Sequence, residues 1–345
     1  MISSARLPEL LAACLVLATW PVVAAAVTQP PAAAPLRLRP GDRIVFLGDS
    51  ITEQRMYTNY VETYLVLRYP GLNLSFANAG WGGDTARGGA GRLERDVLGA
   101  HPTVVTICFG MNDGGYGWSS TQDAASGYGK AVRGIVDRLA AKGVRVVLMT
   151  PGVADDRVPG LKWLRDQTDY NRGALRAIAD EALAIARERN LPVVDLHALM
   201  THALAASGRK GVDMGKDGIH PDEGGSLIMA HALLTALGVP ARRETLERDL
   251  AVTGTAFDLT VDPLPYAVEA PARKMLPFLP FNEEFNRVRL VLRGLQAPTA
   301  VLAFDGALTP VLARAALEAG LPLEELGGRG AVEEAERAAT IPREK

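Results

Sequence analysis

The chain has 345 residues but only two cysteines, Cys14 and Cys108. Cys14 lies in an apolar leader, so removal of that leader leaves Cys108 alone and excludes an intrachain disulfide. A chain this long buries a sufficient core without such staples. Cys108 itself sits inside the apolar run "VVTICF", the setting of a packing residue rather than a nucleophile. An excess of one charge is also missing: 37 Lys and Arg against 39 Asp and Glu leave a net charge of -2. With no dominant basic cluster, nucleic acid is not an expected partner. Histidine is scarce too, at five residues. His101 precedes a proline and a strand, His231 falls inside a helical stretch, and His197 and His202 lack metal-ligand spacing, so these four read as structural or surface histidines. Neither Gly-x-Gly-x-x-Gly nor Gly-Lys-Ser/Thr follows the first apolar run, which removes the support for a nucleotide site. No internal repeat is present.

One long hydrophobic run exists, and it is N-terminal. Arg6 precedes apolar residues over 10–27, and Ala24-Ala25-Ala26 fits the small-x-small cleavage rule. Residues 1–26 therefore read as a signal peptide, and residues 27–41, rich in Pro and Ala, as a linker. Glu9 offsets Arg6 and the run approaches spanning length, so an uncleaved anchor is the alternative. Pro21 and the alanine-rich end favour cleavage. "LAAC" at 11–14 resembles a lipoprotein processing site, but the apolar residues mostly follow Cys14. The expectation is export to the periplasm or beyond, with no stable membrane association after cleavage.

The whole chain is 48% hydrophobic and 22% charged, a globular composition. Short apolar runs predict strands over 43–47, 74–78, 103–109, 144–149 and 192–195. Helices are predicted over 58–68, 87–98, 121–141, 169–190 and 223–237; the fourth carries Leu175, Ile178, Ala182 and Ile185 at helical spacing. Near-continuous apolar strands alternating with helices imply a parallel α/β sheet covered on both faces. The main domain is expected over 42–245. Residues 246–345 read as an extension, with a β-hairpin over 286–306 turning at 294–298, a short helix and a charged tail.

Ligands of such sheets bind beyond the carboxyl ends of the strands. Four polar loops fall there: "GDSITEQ" (48–54), "AGWGGDTARGG" (79–89), "GMNDGGYGWSS" (110–120) and "TPGVADDRVPG" (150–160). "GDS" alone is ordinary turn and cap chemistry. "DGIHPDEGG" (217–225) adds Asp217 three residues before His220. That spacing brings a carboxylate and an imidazole to one side of a turn, leaving the other ring nitrogen free as a base. In the competing reading Asp217 and Asp222 are turn or cap residues and His220 is a surface histidine. The glycine N–H groups of "NAGWGGDT" and the Asn112 amide of "FGMND" are donors suited to a developing oxyanion. Glycine-rich turns also cradle phosphates.

"GDSIT", "NAGWGGDT", "GMND" and "DGIHP" together resemble, in order and placement, the signature blocks of the SGNH hydrolases, the GDSL esterase/lipase family. The resemblance covers roughly 43–238. It implies a flavodoxin-like three-layer α/β/α sandwich of five parallel strands, hydrolysis of esters or thioesters, and no metal or organic cofactor. Carried over motif by motif, Ser50 is the nucleophile, His220 the base and Asp217 its orienting acid. Gly83, Asn112 and the Ser50 N–H form the oxyanion hole. GDSI in place of GDSL is a like-for-like apolar change. No Gly-x-Ser-x-Gly elbow is present, so the α/β-hydrolase fold is not the source of the resemblance.

Trp81, Tyr116 and Trp118 lie in the loops nearest the proposed site, and flat aromatic faces suit sugar rings. Packing of the loops explains the same aromatics equally well. The expected substrate is a small-molecule or polysaccharide ester, an acetylated carbohydrate foremost. A lipolytic esterase or thioesterase is the runner-up. A catalytically silent carbohydrate-binding protein is the reading from a different class. Nothing in the sequence sets the oligomeric state.

Overall fold

The computed structural model describes residues 33–155, 170–207, 217–250, 265–304 and 307–326, with single residues 158, 161, 164 and 215. The expected signal segment and the charged tail beyond 326 lie outside the described residues. Five strands form one parallel sheet: β1 (Arg43–Gly48), β2 (Ser75–Gly80), β3 (Val104–Cys108), β4 (Arg145–Met149) and β5 (Val193–Val194). Their order is β2-β1-β3-β4-β5, so the chain reverses its direction of winding between β1 and β3. This is the flavodoxin-like order, and the crevice at that reversal is where such sheets hold ligands.

The apolar runs explain the layers. Successive strand residues point to opposite faces. Ile44 and Phe46 accordingly join a core with α2 (Met56–Arg68) and the late helix Glu223–Ala236. Val45 and Leu47 join a second core beneath α3 (Ala86–Arg92), α4 (Thr121–Ala141) and α5 (Arg176–Arg189). All four strand side chains are fully buried. A short helix α1 (Ser50–Glu53) follows β1 directly. The helix α6 (Leu196–Ala206) was not anticipated, the Glu223–Ala236 helix is α7, and two short helices, Arg314–Ala319 and Leu323–Leu326, lie in the C-terminal extension. Side-chain caps start several of them; Ser120 accepts from Asp123 N at 3.1 Å and Asp222 from Gly225 N at 2.9 Å.

Two sequence expectations change. The second half of the expected linker is not free chain: Leu36 N donates to Ala236 O at 2.9 Å, and Leu36 and Leu38 pack on the core. The hairpin expected over 286–306 is not formed. Its first arm becomes β7 (Arg287–Arg293), which runs parallel to β6 (Arg243–Asp249) and antiparallel to residues 321–322. Residues 299–300 pair instead with 312–313. The reason is burial: Val288, Leu290 and Leu292 share a small core with Leu317, Leu321 and Leu323, a larger apolar contact than two hairpin arms would make. Upstream of β7, Phe281 packs on Tyr64 and Tyr266 and Phe285 packs on Tyr64, with ring centroids 5.8–6.0 Å apart. The Tyr64 hydroxyl donates to Phe285 O at 2.6 Å, and His231 on α7 meets Glu284 at 2.9 Å.

Gly48 ends β1. A glycine before the loop suggests freedom for a sharp turn, but its φ lies outside the left-handed region. Space is what it supplies: a Cβ here would lie 2.1 Å from Thr52 Oγ1 and 2.7 Å from the Cys108 carbonyl oxygen. Gly48→Ala is expected to cost about 1–3 kcal/mol as an overpacked site. A thermal melt reads this as a lowered Tm; an unchanged Tm would show that the strand end gives way freely.

Candidate active site

Ser50 is the first residue of α1, and β1 holds it at the carboxyl edge of the sheet. The preceding Asp49 caps the turn: its Oδ1 accepts from Ile51 N at 3.0 Å, and its carbonyl accepts from Thr52 N and Glu53 N. Rigid mounting of this kind leaves the Ser50 hydroxyl free to face the crevice.

The segment before α7 brings His220 to it. His220 Nε2 lies 2.8 Å from Ser50 Oγ, and His220 Nδ1 lies 2.6 Å from Asp217 Oδ2. The other Asp217 oxygen accepts from Ile219 N at 2.9 Å and His220 N at 3.0 Å, so the carboxylate also shapes the loop that carries the ring. Burial alone would raise the Asp217 carboxyl. The hydrogen bonds from the His220 ring and the two backbone N–H groups outweigh this and hold it below its ordinary value. Asp222, the other acid of this segment, is the cap of α7 and bridges to Lys274 Nζ at 2.6 Å. A carboxylate accepts only, so Nδ1 carries the imidazole proton and Nε2 is left to accept from the serine hydroxyl.

On the other side of Ser50 stand the two glycine-rich loops. Trp81 to Asp84 form a tight turn closed by Asp84 N donating to Trp81 O at 3.1 Å. Gly83 has φ +72°, the left-handed value that the third position of a type II turn requires. The turn's own bond uses the Asp84 N–H rather than that of Gly83. Asn112 donates from Nδ2 to Asp84 O at 2.8 Å, with Asp49 Oδ2 farther off at 3.4 Å. Asn112 Oδ1 accepts from the Tyr116 hydroxyl at 2.7 Å. Ser50, His220 and Asp217 are thus in one hydrogen-bonded line, and Asn112 is tied to the Gly83 turn through Asp84. Trp81 and Trp118 are exposed, 57% and 70% respectively, whereas Tyr116 is turned inward and stacks on Tyr170.

Two features escape a sequence reading. Arg92 on α3 reaches back with three groups: Nε to Asp84 Oδ2 at 2.7 Å, Nη1 to Ala79 O at 2.7 Å and Nη2 to Gly48 O at 2.9 Å. It clamps the ends of β1 and β2 to the Gly83 turn, and only its recurrence in "DTARGGAGR", eight residues past Asp84, hints at this. The second is a pair of buried carboxylates. Asp49 is 2% exposed, and burial pushes it up to about 7, helped by the charges of Asp113 and Asp84. Asp113 accepts from Ala86 N at 3.0 Å and is likewise raised by burial, to about 6. Both folded values exceed the ordinary 3.8. Their contribution to stability is therefore full below 3.8 and is lost as pH rises through about 6 and about 7. Carboxyl ¹³C titration is expected to find these two midpoints; values near 4, the usual aspartate range, would show that water reaches both groups.

His197 is buried with Nδ1 facing Gly152 O at 3.2 Å. Cys108 is buried, and burial raises its thiol far above the reactive range. Among the described residues, no helix is long and apolar enough to cross a membrane.

Comparison with known proteins bears on the family and the fold. An acetylxylan esterase from Geobacillus stearothermophilus is 25% identical over 223 residues, spanning 59% of this chain and 97% of that protein. Among solved structures, a gut microbial diltiazem-metabolizing enzyme superposes with a TM-score of 0.73 at 22% identity, covering 88% of this chain and 77% of the other. At that identity the second likeness speaks for the fold. The model of the GDSL-like lipase/acylhydrolase family matches residues 46–227, from the first strand through the His220 loop into α7. The chain belongs to the GDSL-like lipase/acylhydrolase family and is a carboxylic ester hydrolase.

Proposed function

We propose that this chain is an exported serine esterase that removes acyl groups, acetyl foremost, from carbohydrate. The observation that carries the mechanism is the line Asp217–His220–Ser50, with contacts of 2.6 and 2.8 Å. The Ser50 oxygen attacks the ester carbonyl while His220 Nε2 takes its proton. The imidazolium that forms is stabilised by Asp217. The carbonyl oxygen becomes an oxyanion, held by the Ser50 N–H, the Gly83 N–H and Asn112 Nδ2. As the tetrahedral intermediate collapses, the alcohol leaves with the proton from His220, and the acyl group stays on Ser50. Water then attacks the acyl-enzyme, again losing its proton to His220; the bond from the acyl carbon to the Ser50 oxygen breaks, His220 returns the proton to Ser50, and the free acid departs. Each turnover consumes one ester and one water and yields one alcohol and one acid.

Carbohydrate is favoured by two observations: the acetylxylan esterase relative and the exposed rings of Trp81 and Trp118 on the loops beside Ser50. The N-terminal apolar run supports export, where such esters occur. Labelling with a fluorophosphonate followed by peptide mapping tests the nucleophile; modification of another serine with Ser50 untouched refutes it. Acetate release from acetylated polysaccharides, measured beside p-nitrophenyl esters of increasing chain length, tests the substrate. A rate that climbs with chain length and no acetate release would replace the carbohydrate reading with a lipolytic one.

A further inference from the structure

We propose that Tyr116 is a positioning residue of the oxyanion hole: its hydroxyl, bound to Asn112 Oδ1, aims the Asn112 amide at the reacting carbonyl oxygen. The inference rests on the reading of Asn112 as an oxyanion donor and adds to it the residue that makes the donor work.

An asparagine side chain can flip, and the two orientations do opposite things. With Nδ2 toward the crevice it donates to an oxyanion; with Oδ1 there it repels one. Two contacts decide the orientation here. The Asp84 carbonyl only accepts, so the atom 2.8 Å from it is Nδ2. The atom on the opposite side is then Oδ1, and Tyr116, 2.7 Å away, must donate to it. Burial, with the charges of Asp49 and Asp217, keeps that hydroxyl protonated and so able to donate. One Nδ2 hydrogen is taken by Asp84 O. The other faces only Asp49 Oδ2, at a weak 3.4 Å, and is available for the substrate. The hydroxyl also pulls electron density toward Oδ1, which strengthens the remaining N–H as a donor.

The backbone is built for this contact. Tyr116 has φ +51° and ψ +40°, a conformation that a bulky residue rarely adopts. Gly115 and Gly117 beside it also have positive φ, +63° and +80°. The ring lies on Tyr170, centroids 5.4 Å apart and planes 23° from parallel, and Tyr170 donates to the carbonyl of Met111, next to Asn112. The Tyr170 ring needs the bare Gly114 to fit: a Cβ there would lie 2.5 Å from its hydroxyl. A strained residue held this firmly, with its polar tip on a catalytic amide, is the pattern of a site that stores strain for function. It also moves Tyr116 out of the set of sugar-binding aromatics.

Tyr116→Phe keeps the ring and its stack on Tyr170 and deletes only the hydroxyl. Loss of one neutral hydrogen bond to the donor is expected to lower kcat about fivefold, with KM changed less than about twofold. The double variant carrying Asn112→Ala supplies the readout that a structural role would not move. If Tyr116 acts through Asn112, its substitution has no further effect once the amide is gone. Circular dichroism and Tm establish that each variant is folded. A full fivefold loss persisting in the Asn112→Ala background, a loss expressed in KM, or no loss at all overturns the proposal. If Asn112→Ala alone retains wild-type kcat, the oxyanion reading of Asn112 fails and this proposal falls with it. A large Asn112→Ala effect beside a silent Tyr116→Phe leaves that reading standing and removes Tyr116 alone.

Discussion

Replacing Ser50 by alanine is expected to lower kcat by about 10⁴- to 10⁶-fold with little change in Tm. The size follows from chemistry. Alanine has no atom to bond to the acyl carbon, so the two-step route through an acyl-enzyme closes and direct attack by water is what remains. The oxyanion donors survive the substitution, which is why a residual rate above uncatalysed hydrolysis is expected. Stability is spared because Ser50 begins a helix that Asp49 caps through its own carboxylate and carbonyl. Turnover of p-nitrophenyl acetate by the purified variant, corrected for the enzyme-free rate, is the measurement. Activity within tenfold of wild type would remove Ser50 from the covalent step.

Asp217→Asn is expected to cost about 10⁴-fold in kcat, as wrong-tautomer substitutions of an orienting acid do. The asparagine oxygen can keep the backbone bonds to Ile219 and His220 that Oδ1 makes now, at 2.9 and 3.0 Å. Its NH₂ then replaces Oδ2 opposite His220 Nδ1, which must become an acceptor. The ring proton moves to Nε2, and that nitrogen can no longer take the proton of Ser50. Loop geometry is preserved while the base is lost, so the defect lies in kcat rather than in folding. Imidazole ¹⁵N shifts of His220 report the tautomer directly, beside the pH–rate profile. Full activity with an unchanged profile would take Asp217 out of the mechanism.

The sheet and the Ser50–His220 contact were legible in the sequence for the same reason: both depend on short segments. Buried parallel strands must be apolar on both faces, so 43–47 and 103–109 stand out without any partner being known. Motif blocks at strand ends converge because the sheet brings those ends together. What stayed hidden depends on pairing across distance. β6 reads "RETLERD", alternately exposed and half-buried, with Leu246 its one aliphatic side chain, so no apolar period marks it as a strand. Its partner β7 begins about forty residues later and was mistaken for a hairpin arm, because Gly294 and Pro298 are the turn residues closest to hand. Whether Tyr116 faces a substrate or packs its loop stayed open for a similar reason. An aromatic in a glycine-rich loop looks the same from sequence whether it faces solvent or a neighbouring amide. The flanking glycines of "GYG" were the available signal, since they mark backbone that a tyrosine would not choose by itself. Asp49 was legible as a cap, whereas its depth is a property of the finished fold.

The hydrogen bond from Tyr64 to the Phe285 carbonyl joins residues 221 positions apart, and this distance sets a clock. At about 5–20 residues per second, translation takes roughly 10–45 s to reach Phe285 after Tyr64 has been made. Through that interval all five strands of the sheet become available, yet the aromatic face of α2 has no cover. Non-local contacts of this kind are the slow ones in folding. The nascent protein thus spends most of its synthesis with one helical layer open to chaperones and proteases. Chains broken off before Phe281 lack the two phenylalanine rings that cover Tyr64, even though every signature block of the active site has already been translated.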